Sequence, residues 1–500
     1  MDEVARSLRS FLPETTLTLG LLLVVLADAF RVPARAAVCR WLTLVTLAAS
    51  LGFTLRYSGP WGETWSGMLV QDPLAALLKV VMLAAALLIV LAFQRARELA
   101  GLGLGEFYAL LLGVTLANLL LATSNDLAML YLSLEMVSIT SYVMVGYIKG
   151  DRLSNEASLK YVLFGAVSTG AMLYGLSLLY GLTGTTSLPE IRAFLAAGVT
   201  DQTRFAVYLI TLLILAGFGF KTAMVPFHFW CPDVYEGAPT PVTAFLSVAP
   251  KAAGFGILLR FFFSGLSYPQ AGAGGLAGAI NWPLTLAILS AATMTLGNVA
   301  ALTQTNMKRL LAYSSIAHAG YILMGVVALS ELGLRALLIY LLAYLFMNLG
   351  AFLVVTLIHA DLGSFDLRDY PGLYRRAPLL TLAMAIFLLS LIGIPPMVGF
   401  LGKLYLFAAL LQKAATLADG RMLYTLAVIG AINAAIAAYY YVRVIRAMFI
   451  DESDAERPPL KLELADQAWL VVLMVANVVP MLGWTYVEAW TRASTLWPGK

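Results

Sequence analysis

Long apolar stretches, separated by short polar or Pro/Gly-rich breaks, run through the whole chain. An α-helix needs about 17–25 mostly apolar residues to cross a hydrocarbon core of about 30 Å. About fourteen stretches meet this length, and we predict that each forms a transmembrane helix. Their approximate bounds are 11–30, 36–56, 72–94, 107–123, 126–148, 157–182, 205–229, 240–264, 282–302, 308–329, 333–359, 377–411, 422–450 and 465–490.

Prolines interrupt the seventh and the twelfth of these stretches. Pro226 follows Lys221 within the seventh, and Pro395 and Pro396 precede Lys403 within the twelfth. Proline lacks an N–H and clashes with the preceding helical turn, so both helices should be broken. Unwound backbone inside a membrane is tolerated only where it is buried or lines a wet cavity. We therefore expect a functional site beside each break.

The two broken helices lie five stretches apart, and an odd offset places two copies of a five-helix unit in opposite orientations. The pattern thus predicts an all-α polytopic membrane protein with two inverted five-helix repeats and broken helices 7 and 12. Its parts are N-terminal helices 1–3 (1–106), a first repeat of helices 4–8 (107–264), a second repeat of helices 9–13 (282–450) and a C-terminal helix 14 (465–500).

Composition agrees with a membrane protein, because 61% of the residues are hydrophobic and only 12% are charged. A soluble chain of this length would need far more surface charge, and nucleic acid is not an expected partner. The two cysteines, Cys39 and Cys231, cannot supply the four thiolates of an ordinary iron–sulfur cluster. We therefore expect no redox centre in this chain.

The distribution of basic residues predicts the orientation. Loops after odd-numbered stretches hold seventeen Lys and Arg residues, the other side holds eleven, and the four remaining lysines of the 32 cations lie within stretches. The positive-inside rule then puts both termini on the non-cytoplasmic side. The first apolar run resembles a signal peptide, but Arg31, Arg35 and Arg40 follow it, so we expect it to be retained.

Ionisable residues inside the stretches are the candidate functional groups, because a lysine at the bilayer centre costs about 2.5–3.5 kcal/mol on insertion scales. The candidates for proton transfer are Glu135, Lys221, Lys251, His318 and Lys403. Each also has a structural interpretation: a lysine amine could reach a headgroup, and the glutamate or the histidine could simply bond a neighbouring hydroxyl.

Two further residues are weaker candidates. His228 follows the Pro226 break, and structural and functional roles are balanced for it. Lys79 lies about seven residues into the third stretch, and we expect its amine to snorkel to the membrane surface. The five stronger candidates form a row of groups that hold or release protons, with no pocket for an organic substrate in view. Proton movement is the natural inference.

Three sequence strings carry a family resemblance, namely PFHFWCPDVYEGAPTPVTAFLSVAPKAAGFG, MKRLLAYSSIAHAGYILMG and GIPPMVGFLGKLYLF. They resemble the subunit N family (also called subunit 2) of respiratory complex I, the proton-translocating NADH-quinone oxidoreductase. The wider antiporter-like family includes subunits L and M and the large subunits of multisubunit sodium/proton antiporters. PDVYEGAPTPV and the lysine of GFLGK are similar to subunit N in particular.

The resemblance implies that Glu135 and Lys221 form the ion pair of a proton channel, with Lys251 as the central relay and Lys403 as the terminal lysine. It implies a translocase subunit with no redox site and no bound cofactor of its own. NADH, FMN, iron–sulfur clusters and quinone would belong to other subunits. Antiporter-like subunit M, the small membrane subunits and the lipid bilayer would be its partners.

Two alternatives share these residues. One is a subunit of a multisubunit cation/proton antiporter, and the other is a purely structural membrane subunit whose charges are not used. Co-purification with flavin- and iron–sulfur-containing subunits would separate the first alternative from the complex I interpretation. The Ala-, Leu- and Arg-rich composition favours a bacterial plasma membrane.

Overall fold

A computed structural model describes residues 7–30, 34–57, 61–198, 200–269, 276–278, 280–452 and 458–493. Arg6, Arg31, Arg457 and Lys500, whose charges entered the orientation argument, lie outside the described residues, as do both ends of the chain.

Within the described ranges, fourteen helices are long and apolar enough to cross a membrane, which confirms the predicted polytopic all-α architecture. They are α1 (Leu12–Ala29), α2 (Arg35–Arg56), α3 (Pro73–Ala92), α4 (Leu104–Thr123), α5 (Leu127–Val145), α6 (Arg152–Thr183), α7 (Asp201–Thr222), α8 (Thr240–Leu259), α9 (Trp282–Ala301), α10 (Met307–Val327), α11 (Glu331–Leu362), α12 (Val398–Thr416), α13 (Arg421–Phe449) and α14 (Leu464–Leu482).

Two of these helices have a second helix across a short break. The short helix Trp230–Gly237 follows α7, and a leading half-helix, Pro378–Ile392, precedes α12. Helix α7 ends earlier than the sequence predicts, because Ala223 adopts a left-handed conformation with φ of 59° and caps it. Pro226 therefore lies inside the break rather than at its start.

Short elements connect the spans. Two of these elements are pairs of short antiparallel strands. β1 (Gly62–Thr64) pairs with β2 (Leu69–Gln71), with Glu63 opposite Val70. β3 (Ser267–Pro269) pairs with β4 (Leu276–Gly278), with Tyr268 opposite Ala277. The remaining elements are short helical segments and a π-helical continuation of α8. They are Arg97–Leu99, Leu188–Ala196, Arg260–Gly265, Leu367–Asp369, Leu373–Arg376 and Trp484–Ala493.

Helix α8, which carries Lys251, lies at the centre of the fold. Its whole apolar window is buried, and it packs against α3, α4, α7 and α11. In α1 and α14 only 28% and 22% of the corresponding windows are buried, so these helices lie at the periphery. A lysine on α8 cannot reach a headgroup past its neighbours, and the snorkelling interpretation of Lys251 is wrong for this fold.

Lys79 does not snorkel, which corrects the sequence prediction. Its Nζ lies 2.6 Å from Glu14 Oε1 and donates to Gln71 Oε1 over 2.8 Å. Both charged side chains are almost completely buried between α1 and α3. Local sequence pattern does not indicate this contact, because Glu14 and Lys79 lie on helices that are far apart in the sequence.

Arg260, directly after α8, is also buried. Its guanidinium makes a bidentate contact with Asp72, with N–O distances of 2.7 and 2.9 Å, and its Nε donates to the Ala122 carbonyl. Asp72 caps the start of α3, since its side chain accepts from the Ala75 N–H. This pair ties the end of α8 to α3 and α4.

A third ionic cluster lies where α8 and α10 begin. Lys308 donates to Glu98 and to the Ala238 carbonyl, and Glu98 accepts from the backbone N–H of Thr240. Burial raises the pKa of Glu98, but the Lys308 charge and the Thr240 N–H outweigh burial, and the pKa is lowered overall. Glu98 therefore remains a carboxylate that anchors the first turn of α8.

The Glu14–Lys79 pair makes a testable prediction about stability. Removing one partner of a buried pair leaves an unpaired charge and costs about 3–5 kcal/mol, whereas replacing both with apolar residues is about neutral. We expect Glu14→Leu and Lys79→Met each to lower the melting temperature of the full chain in detergent. The double variant should recover most of the loss, and additive losses would contradict a direct pair.

Candidate functional site

Lys221 lies in the last turn of α7, directly before the break. Its side chain is 2% exposed, and its Nζ donates to Ser138 Oγ on α5 over 3.0 Å. A Cβ added at Gly254 would lie 3.2 Å from Lys221 Cγ, so the lysine stem packs against α8 one turn after Lys251. The break and the small residue on α8 together leave room for the amine.

Glu135 lies on α5 one turn before Ser138 and is partly buried. It interacts with Tyr131 on its own helix and electrostatically with Lys221. The ion pairs within 4.0 Å among the described residues do not include Glu135 with Lys221. Ser138 holds the amine instead, so the two charges interact without direct contact in this structure.

Lys251 is anchored on α10. Its Nζ donates to the Ser315 carbonyl over 2.8 Å and lies 2.6 Å from Ser315 Oγ. The Tyr344 hydroxyl on α11 donates to the same Ser315 Oγ over 2.7 Å. One serine therefore joins the lysine of α8 to helices α10 and α11.

His318 lies one turn after Ser315 on α10. Its Nδ1 is 2.6 Å from the Tyr340 hydroxyl and its Nε2 is 3.1 Å from the Tyr441 hydroxyl. A neutral imidazole has one donor and one acceptor nitrogen, and a phenol serves either role, so this arrangement accommodates both tautomers. His318 also interacts electrostatically with both Lys251 and Lys403.

Lys403 lies on α12, and its side chain reaches back across the break to the leading half-helix. Its Nζ donates to the carbonyls of Leu391 and Ile392 over 3.0 and 2.7 Å, at the C-terminal end of the leading half-helix. The unpaired carbonyls and the negative end of the helix dipole both favour an ammonium there. The ring of Tyr321 lies 4.7 Å from Nζ and adds a cation–π contact.

Electrostatic interactions relate Glu135 to Lys221, and His318 to both Lys251 and Lys403, and the helices that carry Lys221 and Lys251 pack against each other. His228 is not joined to them by a hydrogen bond. Its side chain is buried in the break after α7, its ring packs on Phe229, and its Nδ1 has no hydrogen-bond partner among the described residues.

Sequence reasoning missed the residues that connect the candidates, namely Ser315, Tyr340, Tyr344 and Tyr441. The available signal was the pair of tyrosines four residues apart in α11, which places two hydroxyls on one helix face. Within the described ranges, no group of three or more His, Cys, Asp or Glu side chains is arranged to hold a metal ion.

A family model described as "NADH:quinone oxidoreductase/Mrp antiporter, TM" matches residues 124–437. The chain belongs to this family. It is 48% identical to NADH-quinone oxidoreductase subunit N of Anaeromyxobacter sp. (strain Fw109-5), with 99% of this chain and 98% of that protein covered. It is 44% identical to NAD(P)H-quinone oxidoreductase subunit 2 of Synechococcus sp. (strain JA-3-3Ab), with 93% and 86% covered. The resemblance to subunit N is confirmed.

Solved structures agree with this membership of the family. A chain of respiratory complex I from Thermus thermophilus with bound aureothin is 33% identical, with a TM-score of 0.78 and coverage of 96% of this chain and 99% of that one. A chain of the Mrp complex from Dietzia sp. DQ12-45-1b has a TM-score of 0.82 at 21% identity, with 98% of each chain covered. At that identity the second likeness shows the fold alone.

Gly393 makes the geometry around Lys403 testable. Gly393 and Gly363 both have left-handed backbones, with φ of 88° and 70°, so a side chain costs about 1–2 kcal/mol at either position. A Cβ at Gly393 would lie 2.9 Å from Lys403 Cδ, whereas at Gly363 it would meet nothing within 4 Å. We expect Gly393→Ala to lower the melting temperature more than the matched control Gly363→Ala. Equal decreases in the melting temperatures of the two variants would contradict a close contact between position 393 and the Lys403 side chain.

Proposed function

We propose that this chain conducts protons across the membrane as the subunit N component of a proton-translocating NADH-quinone oxidoreductase. The observation that carries the proposal is the set of Glu135, Lys221, Lys251, His318 and Lys403 in the interior of the fold, where serine and tyrosine hydroxyls contact Lys221, Lys251 and His318. Groups that exchange protons and lie within the fold at successive positions form a path for protons.

Each residue has a distinct part in the proposed path. Glu135 on α5 modulates the charge on Lys221 of α7 electrostatically, and Ser138, one turn after Glu135, fixes the position of the amine. Lys251 exchanges its proton with His318 through the Ser315 and Tyr344 hydroxyls. His318, held between two phenols, delivers the proton towards Lys403 beside the second break.

The interaction between Glu135 and Lys221 and the movement of one proton across the membrane involve free energies of similar size. Two unit charges about 4 Å apart interact by about 4 kcal/mol at an effective dielectric constant near 20. Moving one proton against a membrane potential of about 150 mV requires about 3.5 kcal/mol. The free-energy change on strengthening or weakening the Glu135–Lys221 interaction is therefore large enough to drive one proton transfer. Redox energy released elsewhere in the complex would change that distance.

The similarity to subunit N over nearly the whole chain supports this assignment over a subunit of a multisubunit cation/proton antiporter. On this proposal NADH, FMN, iron–sulfur clusters and quinone bind to other subunits, and this chain binds none. Its partners are antiporter-like subunit M, the small membrane subunits and the lipid of a bacterial plasma membrane. Both termini lie on the non-cytoplasmic side.

The proposal predicts that Lys221→Ala removes the proton uptake that passes through this chain. NADH-driven proton uptake would be measured in inverted membrane vesicles that contain the whole complex, with assembly checked on a native gel and electron transfer assayed in parallel. Uptake per electron pair should fall while the complex stays assembled, because the row lacks the group that receives the proton. Lys149→Ala, at an exposed lysine between α5 and α6, is the matched control and should pump normally. Unchanged uptake with Lys221→Ala would leave this chain a scaffold.

A further inference from the structure

A cavity of about 470 Å³ lies away from the proton row, at the ends of α2, α3 and α4. It is enclosed by the first turns of α2, the last turn of α3, the segment that connects α3 to α4, and Pro241 at the start of α8. Each of these chain ends is on the side where the basic residues of the sequence concentrate. The cavity therefore opens at the predicted cytoplasmic surface of the membrane.

Three arginines line this cavity, namely Arg40, Arg95 and Arg97, and no Asp or Glu is among its lining residues. Arg95 is neutralised by Asp466, whose Oδ2 is 2.8 Å from Nη1. The side chain of Arg97 is exposed and has no hydrogen bond or ion pair within the described part of the chain. The cavity thus has an excess of positive charge.

Arg40 has hydrogen-bonding capacity to spare. Its Nη1 donates to Gln94 Oε1 over 2.6 Å, but its Nε is buried and has no partner among the described residues. A buried donor without an acceptor is destabilising, so an acceptor is expected in the cavity. Because the group is a guanidinium, an anionic oxygen is the best match.

Much of the remaining wall is apolar. Ile89, Val90, Phe93 and Phe107 line the cavity together with Gln94 and Tyr108. Trp41 is 60% exposed, and the centre of its ring lies 5.8 Å from the guanidinium carbon of Arg40. Exposed tryptophans concentrate where headgroups meet acyl chains, so the cavity spans this boundary.

We propose that the cavity binds one anionic phospholipid of the cytoplasmic leaflet. The lipid phosphate would accept hydrogen bonds from Arg40 and Arg97, and an acyl chain would follow the wall formed by Ile89, Val90 and Phe93. Basic pockets between transmembrane helices on the cytoplasmic side are suited to such headgroups. The apolar wall distinguishes a lipid from free phosphate, which would use the arginines alone.

This lipid would contact α2, α3 and α4 together at the end where they pack against one another, next to Pro241 in the first turn of the central helix α8. The site does not depend on the proposed proton path, so it is tested independently of proton transfer.

The test is native mass spectrometry of the purified full-length chain in a neutral detergent. Dioleoylphosphatidylglycerol, dioleoylphosphatidylcholine and inorganic phosphate are titrated separately, and phosphate is also added as a competitor. We expect one phosphatidylglycerol to bind more tightly than phosphatidylcholine and to resist displacement by phosphate. Arg40→Gln/Arg97→Gln should bind it about 30-fold more weakly, since each cation contributes about 1 kcal/mol.

The matched control is Arg368→Gln/Arg375→Gln, which removes the same charge from exposed arginines on the same side. It should bind phosphatidylglycerol as the unmodified chain does. If the double cavity variant fails to fold, Arg97→Gln alone serves, because its side chain is exposed, and about a fivefold loss is expected. Equal losses in cavity and control variants, equal affinity for both lipids, or displacement by phosphate would each overturn the proposal.

Discussion

The fold depends on oxygen atoms that solvate three ammonium groups in its interior. Lys221, Lys251 and Lys403 are each no more than 5% exposed, and a buried charge is stable only when it is paired or well hydrogen-bonded. Hydroxyl and carbonyl oxygens of other helices supply the acceptors for all three. The helix breaks contribute directly, because the end of the leading half-helix exposes the carbonyls that Lys403 needs.

These acceptors also organise the packing around the central helix. Lys221 reaches α5 past Gly254 of α8, and Lys251 of α8 reaches α10. The ends of α8 are held by the Asp72–Arg260 pair on one side and the Glu98 cluster on the other. The membrane interior thus contains polar contacts that fix helix positions and also offer successive sites for a proton.

Sequence reasoning predicted the features that local pattern determines. The lengths of the apolar stretches predicted the number of membrane-spanning helices, and the positions of the prolines indicated where α7 and α12 are interrupted. Contacts between distant helices were not predictable in this way. Lys79 appeared able to snorkel because Glu14 lies two helices earlier, and Ser138 at the Lys221 amine follows from how α5 packs on α7. The inverted repeats, the domain bounds and the sidedness of the termini stay predictions.

The central claim is that the buried groups form one path, and proton counting tests it most directly. Protons translocated per electron pair would be measured in the assembled complex with Lys221→Ala, Lys403→Ala and both together. Residues that act as a unit give non-additive effects. The account predicts that each single variant and the double variant lower the proton count by the same amount. A double variant that loses twice as much as either single one would show two separate paths and contradict it.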